Sequence, residues 1–332
     1  DPVGYPVLAD GDSDGDLDVV VSTRATFGGV SKIVAIDEDG SEIWQHSLPQ
    51  GVDVTTTPVV GDFDLDGHID LTYGTSAGMV EALSCATLPP SELWPPFSAG
   101  TLEVRSLGLA DLDSDGLLEI AVAGDGVRCV NAESGTDAGL QVSLDGPVVG
   151  LAIGDADGDG DPEMIAGTSA GTVSLIDGGS VLWSRALSGV PGSSATVADV
   201  DGSGTHEILI GTEAGYLHVL TGDGADLVSP VPLDGACLTP FAADLTGDSK
   251  FDVVACSSEG TVYCLTFGGQ IEQTDKPGWL GLGGSASRAS ILEQPYWGTI
   301  NGNLVLSGNF HIVDDLIIPS GSTLTVASGT QM

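Results

Sequence analysis

Basic residues are scarce in this chain. Only 8 of 332 residues are Lys or Arg, against 48 Asp and Glu, and the formal charge is −40. So few cations exclude phosphate-backbone binding to nucleic acid, which needs Lys and Arg. They also exclude a polybasic membrane-surface role. No apolar run reaches 18 residues, so no membrane-spanning helix is expected. The five cysteines (Cys85, Cys129, Cys237, Cys256, Cys264) contain no CxxC and form no zinc pattern. At most two disulfides are possible; Cys256 and Cys264 flank a turn and could face each other across a hairpin, and the plainer reading is small core residues. No N-x-[ST] sequon, GxSxG, HExxH or glycine-rich phosphate loop occurs. The five His (His46, His68, His206, His218, His311) are scattered, with His68 and His206 expected as solvated loop residues and His218 as half-exposed on a strand. No secretory leader is visible, and a chain beginning at Asp1 reads as a processed end or a fragment.

What is present is a large apolar fraction, 41%, with positive mean hydropathy. Disorder needs low hydrophobicity together with high charge, and only the second holds. The length suits two domains or one large all-β domain. The 49 Gly and 17 Pro punctuate short apolar runs, which reads as many strands and turns. No segment keeps a helical period, so almost no helix is expected.

An internal repeat organises the chain. DGDSDGDLD begins at Asp10, DFDLDGHID at Asp62, DLDSDGLLE at Asp111, DADGDGDPE at Asp155, DVDGSGTHE at Asp199 and DLTGDSKFD at Asp244. An apolar run follows each, then a turn, then in most repeats a second alternating strand; three repeats add a Trp-bearing strand with Trp44, Trp94 or Trp183. The spacing of 44 to 52 residues is that of one four-stranded propeller blade. A lone blade cannot bury both faces, whereas radial stacking buries each against a neighbour. The sequence therefore predicts an all-β propeller of six four-stranded blades, with seven as the alternative, over 1–292. The Trp residues are expected between blades rather than on a ligand face, and Trp279 and Trp297 at the domain junction.

The six nonapeptides carry 24 of the 48 acids. Like charges packed into a short turn repel, so such turns need a neutralising partner. The pattern D-x-D-x-[DSN]-G-x-x-[DE] offers oxygens at positions 1, 3, 5 and 9 and a backbone carbonyl at position 7, with Gly at position 6 allowing the reversal. The front half of an EF-hand loop has similar logic, and all-oxygen ligation with flexible coordination suits Ca²⁺ better than Mg²⁺. Asp and Gly also simply make good turns; six motifs in phase favour the metal. The candidate ligands are Asp10, Asp12, Asp14, Asp16 and Asp18; Asp62, Asp64, Asp66, His68 and Asp70; Asp111, Asp113, Asp115, Leu117 and Glu119; Asp155, Asp157, Asp159, Asp161 and Glu163; Asp199, Asp201, Ser203, Thr205 and Glu207; and Asp244, Thr246, Asp248, Lys250 and Asp252. The last two loops are expected to be weakest, because Ser203, Thr246 and Lys250 lower the ligand charge. About six structural Ca²⁺ ions follow. Modules with weak sites bind at extracellular rather than cytosolic calcium levels, so an extracellular location is expected.

The repeat resembles the FG-GAP (VCBS-type) family, the calcium-loop blades of integrin alpha-subunit propellers and of many secreted bacterial proteins. The match covers roughly residues 3–290. The resemblance implies that the ion sits between the first two strands of each blade and serves structure, with Asp10, Asp12, Asp14, Asp18 and their counterparts as ligands. PGWLGLGGSASRASIL looks like a closing piece of such propellers. Residues 293–332 lack the acidic loop and resemble the first rungs of a parallel β-helix. Such rungs need about three repeats for a core, which points to continuation, packing, or strand addition to another subunit.

The functional reading is a non-enzymatic extracellular propeller for adhesion, or a subunit of a surface assembly. Its protein or glycan ligand is unspecified, self-assembly could run through the C-terminal strands, and neither nucleic acid nor membrane insertion enters. The rivals are an accessory domain of a larger secreted enzyme and a calcium-dependent polysaccharide lyase or hydrolase.

Overall fold

Between residues 2 and 270, strands that follow one another in the chain lie side by side in each sheet. A computed structural model describes residues 2–24, 29–243 and 250–270, together with the strands Pro295–Thr299, Asn303–Leu306, His311–Ile317 and Thr323–Val326. Blade 1 comprises Pro2–Ala9, Asp18–Thr23, Lys32–Ile36 and Glu42–Ser47; blade 2, Val59–Gly61, Asp70–Gly74, Met79–Ser84 and Ser91–Ser98. Blade 3 comprises Ser106–Ala110, Glu119–Ala123, Val127–Asn131 and Asp137–Val142; blade 4, Val148–Gly154, Glu163–Thr168, Thr172–Asp177 and Ser180–Ala186. Blade 5 comprises Thr196–Ala198, Glu207–Gly211, Tyr216–Leu220 and Asp226–Pro232. Blade 6 has three strands among the described residues, Phe241–Ala243, Lys250–Cys256 and Val262–Gln270. The expected fourth strand and the closing segment with Trp279 lie outside the described residues. Among the described residues there is no helix, hence none long and apolar enough to cross a membrane. The fold is an all-β propeller of six blades.

The first strands of consecutive blades touch one another in order, so they are innermost. The second strands are buried on both faces: Glu119–Ala123, Glu163–Thr168 and Glu207–Gly211 have no exposed residue. The fourth strands lie largely towards solvent. This explains why the inner runs are apolar throughout while the outer ones are mixed. In blade 5, Ile208 and Ile210 pack with blade 4, and Leu209 between them packs with blade 6. A strand's period of two sends alternate side chains to opposite neighbours. The core therefore lies between sheets rather than within one. Burying an Ile or Leu there contributes about 1.5–3 kcal/mol.

The small residue ending several inner runs has a packing cause. A Cβ on Gly74, Gly167 or Gly211 would meet Val104, Pro191 or Cys237 at 2.4–2.9 Å, where the chain crosses to the next blade. The three Trp rings are packing groups, as expected. The indoles of Trp94 and Trp183 donate to Ala132 O and Gly222 O of the following blade, at 2.9 and 2.8 Å. Trp44 instead donates to Gly11 O of its own blade at 3.1 Å.

Two expectations fail. The hairpin register sets Cys256 opposite Val262 and Cys264 opposite Val254, so these cysteines do not face each other. All five are free thiols; Cys85, Cys129 and Cys237 are buried, while Cys264 is exposed and is no core residue. His218 is buried rather than half-exposed; its Nε2 accepts the Ser188 N–H at 3.2 Å, and burial pushes its pKa down.

Contacts divide the chain into two compact units, Asp1–Leu292 and Glu293–Met332. In the second, pairing is parallel: Tyr296 opposite Ile312, and Leu304 opposite Leu324. Trp297 lies in the strand Pro295–Thr299.

Candidate metal centres

The first five acidic nonapeptides occupy the same place, the loop between the first and second strands of each blade. The last acid is the first residue of the second strand in blades 1–5 and the third in blade 6, and the strand buries it. Asp18, Asp70, Glu119, Glu163, Glu207 and Asp252 are 0–1% exposed. In five blades one oxygen of that carboxylate accepts the backbone N–H of the loop's second residue. The donors are Gly11, Phe63, Leu112, Ala156 and Val200, at 2.7–2.9 Å. At the other end, the first carboxylate accepts amides from the crown of the loop. Asp10 takes Asp14 and Gly15, Asp62 takes Asp66 and Gly67, and Asp111 takes Asp115 and Gly116, all at 3.0–3.1 Å. Asp155 takes Gly158 at 2.8 Å, and Asp199 takes Gly202, Ser203 and Gly204 at 2.7–3.0 Å. These bonds curl the loop, so alternate side chains converge.

The convergence is measurable. Oxygens of Asp155, Asp157, Asp159 and Glu163 lie within 4.8 Å of one another, as do those of Asp10, Asp12 and Asp18, of Asp62, Asp64 and Asp66, and of Asp111, Asp113 and Asp115. One cation with oxygen bonds of about 2.3–2.6 Å could bridge such sets. No acid of the first five loops pairs with a base among the described residues. Several buried oxygens have no hydrogen-bond partner at all: Asp12 Oδ1, Asp70 Oδ1 and Glu163 Oε1. Burial pushes the carboxyl of Asp70 up to about 6 and those of Glu119, Glu163 and Glu207 up to about 7, and neighbouring carboxylates add to the rise. Orphaned buried oxygens, an all-oxygen donor set and uncompensated charge fit a hard divalent cation.

The remaining candidates separate from these sets. Asp14 serves as an acceptor for the Asp16 N–H at 3.0 Å, and Asp16 is exposed. Asp161 turns outward and lines a cavity of about 570 Å³ shared with Asp111, Ser114, Asp115 and Pro162. In blade 5, Asp199 and Asp201 stand near enough to Glu207 to raise its pKa further, and the Ser203 hydroxyl lies 3.4 Å from Thr205 O. Leu117 is exposed. His68 and His206 are not simply solvated: His68 Nδ1 meets Ser13 Oγ at 2.8 Å, and the mostly buried His206 reaches blade 4. Asp244, Thr246 and Asp248 lie outside the described residues, and Lys250 begins the second strand of blade 6.

Two features carry little sequence signal. The fourth loop residue is left-handed in five blades, at Ser13, Leu65, Ser114, Gly158 and Gly202, with φ of 58–84°. In blade 1, Asp37 and Glu38 of the turn before the fourth strand join Asp18 within 4.8 Å. Only the sheet pairing brings that turn beside the loop.

No protein-family model matches the chain, and no curated protein matches it in sequence. Solved structures do. BBS1N in complex with ARL6DN, soaked with lead, is similar at 14% identity and TM-score 0.56, covering 81% of this chain and 78% of that one. Saccharomyces cerevisiae Sqt1 is similar at 12% identity and TM-score 0.54, over 77% and 73%. Chaetomium thermophilum Raptor gives 15% and 0.50, over 79% of this chain and 24% of its own. At such identities the likeness concerns the fold alone, and that fold is the β-propeller.

Proposed function

We propose that the chain is a non-enzymatic, calcium-stabilised propeller of the FG-GAP type that works outside the cell as a scaffold for protein contacts. The carrying observation is the recurring carboxylate cage, whose buried closing acids lack any cationic neighbour among the described residues of the first five loops. The holding groups would be the side chains at positions 1, 3, 5 and 9 of each loop, with the carbonyl of position 7. In blade 4 these are Asp155, Asp157, Asp159 and Glu163, with the Asp161 carbonyl. A bound Ca²⁺ would supply charge neutralisation and no reaction step. The chain's own residues do the rest: the closing acid ties the loop to the second strand, and the first acid ties down the crown.

A scaffold role is supported by the fold and by BBS1N, a propeller neighbour that is in complex with ARL6DN. Self-association through the C-terminal strands is supported by their parallel pairs, which are two-stranded among the described residues; a two-stranded ladder can accept a further strand.

The test is unfolding and native mass in millimolar calcium and in EDTA. At 100-fold excess over Kd each site adds about 2.7 kcal/mol, so the melting temperature should fall by roughly 20 °C or more in EDTA. Equal melting in both conditions overturns the calcium reading. A monomer in both overturns the assembly reading alone.

A further inference from the structure

Positions 4 and 7 of the loop hold no candidate side-chain ligand, and they decide how neighbouring loops meet. At two junctions, position 7 of one loop lies beside position 4 of the loop before it. Between blades 1 and 2 the pair is Ser13 and His68, joined at 2.8 Å. Between blades 4 and 5 it is Gly158 and Thr205; a Cβ on Gly158 would stand 3.0 Å from Thr205 Cγ2. Between blades 3 and 4 it is Ser114 and Asp161, which line the cavity instead.

The blade 4–5 junction has a second tie. His206 Nδ1 lies 2.8 Å from the carbonyl oxygen of Asp155. A carbonyl only accepts, so Nδ1 carries the proton and donates. His206 directly precedes Glu207, the closing acid of loop 5, and Asp155 is the first acid of loop 4. This tie thus joins a residue that flanks one cage to a residue that belongs to the other.

We propose that the cages of blades 4 and 5 fill cooperatively, because His206 of one loop holds Asp155 of the other, with Thr205 placed beside Gly158. This rests on the calcium reading above and adds an interaction between sites. Ordering Glu207 fixes the backbone of His206, and His206 fixes the Asp155 carbonyl. The second cage to fill therefore has less conformational entropy left to lose. Linkage makes the effect reciprocal. The cavity between blades 3 and 4 interrupts the same route, so loop 3 responds independently.

Hydrogen-exchange mass spectrometry of the full chain across a calcium titration reads each loop separately. Glu207→Gln should raise the calcium needed to half-protect residues 155–163 by about fivefold or more, while residues 111–119 move less than about twofold. In a His206→Leu background the same substitution should leave residues 155–163 within about twofold of that background. His206→Asn, whose amide N–H stands near the place of Nδ1, should restore the effect. Protection of the blade 1 strands reports whether each variant is folded. The coupling is overturned if Glu207→Gln leaves residues 155–163 unmoved, if it moves residues 111–119 equally, or if His206→Leu leaves the effect intact. If no loop gains protection in millimolar calcium, the calcium reading fails and takes the coupling with it.

Discussion

The loops of blades 1–3 and those of blades 4–5 make one shape with different residues. At the fourth position the first group holds Ser13, Leu65 and Ser114 at φ of 64°, 58° and 59°. The second group holds Gly158 and Gly202 at 84° and 75°. A left-handed backbone costs a non-glycine residue about 1–2 kcal/mol, and Gly almost nothing. Only the glycine loops also give the amide of that residue to the first carboxylate, at 2.8 and 2.7 Å. Blades 4 and 5 thus form the cage with little local cost. Blades 1–3 hold it against local preference, so their loops should depend more on whatever neutralises the acids.

The largest break in this comparison is Glu163→Gln in the well-formed loop 4. Glu163 is fully buried and its Oε1 lacks a partner. In saturating calcium the variant should lose one ion and about 2–3 kcal/mol, read by denaturant unfolding and native mass. In EDTA it should unfold no more easily than the parent, because a buried repelling charge has been removed. A loss of equal size in both conditions would show that the carboxylate acts through hydrogen bonding alone.

Next comes pH. In the folded chain without calcium, burial holds Glu119, Glu163 and Glu207 near 7 and Asp70 near 6, above the roughly 4 of an unfolded carboxyl. The folded state then binds more protons than the unfolded one. Stability from these groups is complete below about pH 4 and is lost as pH rises through about 7. Melting in EDTA should therefore be higher at pH 5.5 than at pH 8. Calcium should flatten or reverse that slope, and a melting point in EDTA that climbs from pH 5.5 to 8 would contradict the assignment.

A smaller effect distinguishes the loop groups directly. Leu65 is 73% exposed, so Leu65→Gly sacrifices little burial and should stabilise by about 1 kcal/mol, more clearly in EDTA. Gly158→Ala should do the reverse, with a close Thr205 contact added to the strain. Paired thermal melts check both signs. The smallest change is expected at the open junction. Asp161→Lys faces Asp111 and Asp115 across the cavity and should stabilise the calcium-free chain by less than about 1 kcal/mol.

Much of this was legible in the amino-acid order. Repeat spacing gave the blades, and runs such as Ile208–Leu209–Ile210 announced strands buried on both faces. The acids at positions 1 and 9 marked the loop ends, because a carboxylate that begins a strand can reach back to the second loop amide. What stayed hidden depends on relations between strands. Ser13 and Leu65 give no sign of left-handed backbone, since neither side chain prefers it. His206 reads as a loop histidine until blade 4 is beside it. Cys264 could be placed near Cys256 by turn counting, yet the register set Val254 opposite it. Asp37 joins Asp18 only through the pairing of the second and third strands of blade 1, where Ile36 lies opposite Val19.

Each sheet from blade 1 to blade 5 is wound from four successive strands, and none borrows a strand from another blade. A chain emerging from the ribosome can therefore finish one sheet before the next is made. Apart from the free face of blade 1, which waits for the last blade, the outward-looking side of the newest sheet waits about one further repeat before its apolar side chains are covered. Trp94 and Trp183 mark that moment, because their indole partners Ala132 and Gly222 are synthesised one repeat later. Mostly local pairing of this kind favours quick, sequential folding over a search among distant segments.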